Sequence, residues 1–184
     1  LHRAAHERGW RPPEQLACRV VSVGNLVVGG SGKTPFAAWL ALALRRRGHQ
    51  VVLASRGYGR RGGEAVEVVS DGQHVLSSAV RAGVEPMLLA AKAPGVTVLV
   101  GSDRAVVGLR AISAFGCQVL VLDDGFQHHR LHRDVDIVVF DGALGFGNRH
   151  YLPRGPLREP PGVLHEAQAA SVAAATVGTP CEEV

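Results

Sequence analysis

Short apolar runs recur along the chain, each closed by a glycine-rich or charged break and most followed by residues of helical periodicity. Val20–Gly24 reads as a buried strand. After it, Phe36, Leu40 and Leu44 recur at helical spacing between Thr34 and Arg47, and Arg45 to Arg47 followed by Gly48 supply a cationic last turn and a C-cap. The same reading predicts strands at Gln50–Ser55, Ala65–Ser70, Val96–Val100, Gln118–Leu122 and Val135–Phe140. Helical segments are predicted around Ser77–Ala82, Pro86–Lys92 and Asp103–Phe115. Val163–Val177 gives a weak helix-then-strand signal. Strands this apolar, alternating with helices, predict an α/β fold with a mainly parallel sheet, right-handed crossovers and helices on both faces.

The break after the first strand carries the most chemistry. Residues 18–34 read CRVVSVGNLVVGGSGKT, which is a strand, a glycine-rich turn, then a lysine and a hydroxyl residue opening a helix. Gly29, Gly30 and Gly32 remove the Cβ atoms that would hold the backbone away from an anion, so that N–H groups across Val27, Val28, Gly29, Gly30, Ser31 and Gly32 can face phosphate oxygens. Lys33 would reach the outer phosphates. Thr34, at the positive end of a helix dipole, can offer its hydroxyl to Mg²⁺. The usual GxxxxGK[ST] spacing asks for glycine at position 27, where this chain has Val27.

Composition narrows the setting. The 184 residues suffice for one packed α/β domain, and 46% hydrophobic against 20% charged residues excludes a disordered chain. Net charge is +4, and all but Lys33 and Lys92 of the 20 basic residues are arginine, whose planar fork suits phosphate. No basic helix stripe or aromatic-interleaved basic patch points to nucleic acid. Cys18, Cys117 and Cys181 are unevenly spaced without a CxxC, as expected of buried, inert thiols in a reducing cytosolic setting. No apolar run is long enough to span a membrane and no signal peptide is visible, although Leu1 to Gln15 has the character of a short basic surface helix. The chain opens without methionine, its single one being Met87, and reads as processed or as a fragment.

Four other stretches carry candidate chemistry. Val119–Leu122 is an apolar strand ending in Asp123 and Asp124, hard oxygen ligands that a phosphate-loop site needs opposite Thr34 to hold Mg²⁺. His128 and His129, with His132 nearby, would point to opposite faces of an extended segment and make poor co-ligands for one ion, so a single histidine touching substrate or nucleotide is the better expectation. Arg56 to Arg61 follows a strand end, where α/β proteins place ligands, and Gly142 to Pro161 is too long and too decorated to be a connector.

Taken together, VGNLVVGGSGKTP (23–35), SRGYGR (55–60), GVEPMLLA (83–90), LDDGFQHHRLHRDVDIVV (122–139) and the GFGN, LP and GPLREP elements within 145–160 resemble the tetraacyldisaccharide 4′-kinase family. The resemblance runs from Arg19 to Pro160. It implies transfer of the γ-phosphate of ATP, with Mg²⁺, to the 4′-hydroxyl of a tetraacylated disaccharide 1-phosphate in lipid A biosynthesis, at the cytoplasmic face of the bacterial inner membrane. The implied partners are the lipid disaccharide and the inner-membrane surface, with no nucleic acid and no protein partner. Residues 1–18 would be a basic N-terminal segment lying just after a membrane-seating helix, 19–160 the phosphate-loop kinase lobe, and 161–184 the start of a truncated C-terminal part.

Carried over residue by residue, the resemblance implies nucleotide binding by Val27 to Thr34, metal binding by Thr34, Asp123 and Glu85, and catalytic roles for Lys33, Asp124 and Glu85. It further implies substrate contacts from Arg56, Gln127, His128, Asn148, Arg158 and Glu159. Where similar kinases carry Gly-Asp-Glu-Pro, with the aspartate thought to activate the attacking hydroxyl, this chain has Gly83-Val84-Glu85-Pro86. Arg149 and Arg154 also replace small residues usual in the GFGNG and LPAGP stretches. Two alternatives follow: a degenerate relative that binds nucleotide or lipid without turnover, supported by Val84, and a P-loop GTPase or metallochaperone. The second lacks the Asn-Lys-x-Asp element of guanine readers, since neither Lys33 nor Lys92 sits in one.

Overall fold

The computed structural model describes residues 12–61 and 63–173. Seven strands form one sheet in the order β3-β4-β2-β5-β1-β6-β7: β1 Arg19–Gly24, β2 Val51–Ser55, β3 Glu67–Asp71, β4 Thr97–Val100, β5 Val119–Asp123, β6 Val135–Asp141 and β7 Ala169–Ala173. Every neighbouring pair is parallel except β3 and β4, which are antiparallel across a register shift between Val68 and Ser70. The helices are α1 Lys33–Arg46, α2 Ala79–Ala82, α3 Val84–Lys92 and α4 Arg104–Phe115, with a 3-10 helix over Pro161–Glu166.

Strand alternation sorts the core into two layers. On one face Val23, Leu53, Val98 and Val121 pack against Ala37, Ala38 and Ala41 of α1 and Leu89 of α3. On the other, Val20, Val52, Leu99 and Leu120 meet Ala105, Val107 and Ala111 of α4. The small residues of α1 let its backbone approach the sheet closely, which seats its N-terminus over the carboxyl ends of β1 and β5. A third cluster of Leu26, Val27, Phe126, Val138, Leu157 and Val163 lies beside β6 and fastens the phosphate loop to the long loop after it.

The helices on both faces and the mainly parallel sheet follow the sequence pattern, and three local details differ from it. The edge strand begins at Glu67 rather than Ala65 because its antiparallel partner β4 ends at Val100, opposite Glu67. Helix α3 starts at Val84, ahead of Pro86, whose missing N–H falls in the first turn where no acceptor is needed. Residues 161–173 continue the lobe: Val163 enters the third cluster and β7 pairs with β6 from Ile137↔Ala169 to Asp141↔Ala173, so the sheet shows no break at 160/161. The basic segment before Pro12 and the chain beyond 173 lie outside the described residues.

Candidate functional site

The site is built at the carboxyl ends of β1, β5 and β2, around the N-terminus of α1. Gly24 ends β1 against the backbone and Cβ of Phe126, and any side chain there would collide with that ring residue. The chain then turns through Asn25, which is fully buried and donates from Nδ2 to Ser31 Oγ at 2.8 Å. Gln127 Nε2 donates to the Asn25 carbonyl at 2.9 Å, so the segment after β5 clamps the base of the loop. Gly32 caps α1 at φ 78°, a left-handed conformation that costs a glycine little. The first-turn N–H groups of the 14-residue helix therefore open toward the loop. Val27 is buried and pairs with Leu157, and Val28 N donates to Pro156 O at 2.8 Å, which explains how valine stands where glycine was expected. The loop borrows rigidity from residues 156–158.

Beside this loop, Thr34 Oγ1 donates to Asp123 Oδ2 at 3.1 Å. The second carboxylate oxygen of Asp123 is buried without a hydrogen-bond partner. Burial pushes the Asp123 carboxyl up to about 6 against the Thr34 hydrogen bond, and the nearby Asp124 and Glu85 carboxylates add to the rise. An orphaned carboxylate oxygen facing a hydroxyl and two more acids fits a hard divalent cation. Among the described residues, no three His, Cys, Asp or Glu side chains converge closely enough to hold a metal by themselves. Asp123 and Thr34 would be the residues that hold Mg²⁺, with Glu85, in the first turn of α3, as an outer charge.

Asp124 adopts φ 55°, an unusual backbone for a non-glycine residue. In that pose its carboxylate meets Lys33 Nζ at 3.5 Å and Arg158 at 3.1 Å. Arg158 is held in turn by its backbone N–H, which donates to Leu26 O at 2.8 Å.

A cavity of about 480 Å³ opens next to this pair, lined by Arg56, Ser102, Arg104, Asp124, Gln127, His128, His129, Arg130 and Arg158. Of the six substrate residues implied by the resemblance, it gathers Arg56, Gln127, His128 and Arg158. Asn148 is placed otherwise: it is exposed and folds the long loop onto itself, donating to Arg154 O at 3.0 Å and accepting from His150 N at 3.1 Å. Glu159 is buried, 4.0 Å from His129 Nε2. His128 is pushed down to about 4, first by burial and then by Arg104, so it is neutral at physiological pH.

Arg104 is the residue that sequence reading missed. It is almost fully buried, and its guanidinium donates to Gly101 O at 2.6 Å and Asp123 O at 3.4 Å. Burial, then Arg56, lowers it to about 10, and it remains cationic. A cation buried on carbonyls at the floor of an open cavity is set for an anion. The available signal was its position one residue after Asp103, whose carboxylate caps α4 by accepting from Ala105 N at 3.0 Å. That cap directs the first turn of α4 at the strand ends.

A parallel sheet with a glycine-rich loop, a lysine and threonine opening the next helix, and a strand-end aspartate facing that threonine defines a P-loop nucleotide-binding fold. Comparison with known proteins places it more closely. The family model described as tetraacyldisaccharide-1-P 4′-kinase matches residues 1–182. Tetraacyldisaccharide 4′-kinase of Syntrophus aciditrophicus is 52% identical over 147 residues, covering 80% of this chain and 39% of the relative. That of Anaeromyxobacter dehalogenans strain 2CP-C is 50% identical over 167 residues, covering 91% and 44%. A crystal structure described as the "apo" form of LpxK from Aquifex aeolicus in complex with ATP superposes with a TM-score of 0.85 at 37% identity, covering 94% of this chain and 53% of that one. The chain belongs to the tetraacyldisaccharide-1-P 4′-kinase family. It spans less than half the length of these two curated relatives.

Proposed function

We propose that this chain is the nucleotide-binding lobe of a kinase that transfers the γ-phosphate of ATP, with Mg²⁺, to the 4′-hydroxyl of tetraacyldisaccharide 1-phosphate. The observation that carries this reading is the Thr34–Asp123 pair with its unpartnered carboxylate oxygen, set beside Lys33 and a cavity walled by arginines. The loop amides of Gly29, Gly30 and Gly32 bind the β- and γ-phosphates, while that of Val28 stays on Pro156, and Lys33 leaves Asp124 for the outer oxygens as nucleotide enters. Mg²⁺, held by Thr34 and Asp123, would supply neutralisation of the charge developing on the transferred phosphoryl group. Arg104 and Arg158 face the same charge from the cavity side, and Arg56 and Gln127 orient the acceptor sugar phosphate.

Val84 is exposed at the start of α3, where an acid would take the hydroxyl proton in similar kinases. In this chain Asp124, held by Lys33 and Arg158, is the carboxylate on the cavity wall, and position 84 offers no base. Phosphoryl transfer leans on positioning and charge neutralisation more than on a base, so the substitution leaves the reaction open. The membrane surface enters the reading only through the lipid acceptor: among the described residues no helix is long and apolar enough to cross a membrane.

The test is transfer of labelled γ-phosphate to tetraacyldisaccharide 1-phosphate by the complete protein, with the 4′-ester located on the product. Lys33→Ala should lower kcat/KM by about 10³-fold or more, as expected for a cation acting on the transferred group. Unchanged turnover in that variant would remove the phosphate loop from the reaction. Tight ATP binding with no transfer by the unaltered protein would favour the non-catalytic reading instead.

A further inference from the structure

At the opposite end of the sheet, the residues just before β1 and β5 bring two cysteines together. Arg19 of β1 pairs with Val119 of β5, so Cys18 and Cys117 lie at the entrances of adjacent parallel strands. Cys117 is buried in the α4 face of the core and Cys18 packs against the same cluster. A second cavity, about 410 Å³, reaches them from solvent, with Leu16, Gln118, His132 and Asp134 also on its wall. The thiols are unequal: Cys18 is half-buried and Cys117 is buried. The neighbouring Cys117 thiol lowers the Cys18 thiol, while Cys18 and burial raise Cys117. The exposed member is thus the one that ionises first, an arrangement in which one sulfur attacks and the other resolves.

We propose that Cys18 and Cys117 are a dithiol–disulfide site, oxidised by small disulfides such as glutathione disulfide that enter through this cavity. The Cys18 thiolate attacks one sulfur of glutathione disulfide, which breaks its S–S bond and releases one glutathione thiolate. Cys117 passes its proton to that leaving thiolate and attacks the Cys18 sulfur, which releases the second glutathione. Two protein thiols are oxidised to one disulfide, and one external disulfide is reduced to two thiols. The new bond joins the starts of two strands whose other ends carry the phosphate loop and Asp123, about 17 Å away for strands of this length. It is therefore a modification site separate from the nucleotide site.

The test is incubation of the complete protein with glutathione disulfide under native conditions, read by intact mass and by peptide mapping. The expected product is lighter by two hydrogens, holds Cys18 linked to Cys117, and returns to the starting mass with dithiothreitol. A Cys181→Ser background gives the same product. Cys117→Ser should stop at a glutathione adduct on Cys18, and Cys18→Ser should leave Cys117 unmodified in the folded protein. A lasting glutathione adduct on Cys18 in the unaltered protein, a link to Cys181 instead, or two thiols still free when an exposed model thiol is fully oxidised would overturn the proposal. The unaltered protein carries the decisive measurement, so a variant that fails to fold does not affect it.

Discussion

Two residues decide how well this site can work. Asp123 lies almost fully buried with one oxygen on Thr34 and one on nothing, a costly arrangement without a cation. Asp123→Asn should weaken the enhancement of ATP affinity by Mg²⁺ by at least about tenfold while leaving the fold intact, because the amide keeps the Thr34 contact and loses the charge. Titration calorimetry with and without Mg²⁺ checks this; an undiminished metal effect would make the aspartate structural. Val84 is the second. Val84→Asp should raise kcat by about 10²-fold with ATP affinity unchanged, the range of a positioned general base. No gain would mean that Asp124 already serves. Lys33, Thr34 and Asp123 were legible in the sequence because strand-loop-helix spacing fixes their placement. Arg104 was not, since nothing in a lone arginine says that it will be buried facing a carbonyl.

Among the elements, β1 depends most on close packing. Its last residue, Gly24, touches Phe126, and Gly24→Ala should cost about 1–3 kcal/mol through overpacking, seen as a lower denaturant midpoint at unchanged slope. The edge strand β3 carries its own pH dependence. Burial alone would raise Glu67, but hydrogen bonds from Arg81 at 2.9 Å and Ser77 at 2.8 Å outweigh it and hold the carboxyl below its ordinary value. With the folded value depressed, its stabilising effect is full above the unfolded pKa of about 4.3 and fades as pH falls through the folded one. Glu67→Gln should accordingly flatten the acid side of the stability profile measured by urea unfolding. The helices and parallel strands were readable because 3.6 and 2 residue periods hold throughout them. The start of β3 was not, since it is set by where its antiparallel partner ends, at Val100. Asn148 and Glu159 stand in a recognisable loop, yet only its folded course puts one in solvent and the other in the interior.

At the scale of the whole molecule, four arginines converge on one cavity at the carboxyl end of the sheet. Arg56, Arg104, Arg130 and Arg158 face one cavity, so KM for the anionic acceptor should rise with ionic strength. Arg56→Ala should raise it about 10–100-fold, the loss of one charge-assisted contact. A KM indifferent to salt and to that substitution would place the acceptor elsewhere. The stitch between Val28 and Pro156 reaches further than binding, because it sets the order in which the site can come into being during synthesis. The phosphate loop leaves the ribosome early, yet β1 lies between β5 and β6, and the loop's partners Pro156 and Leu157 are made only after both. A nascent chain halted before Leu157 carries every residue of the nucleotide motif and has no shelf on which to hold it.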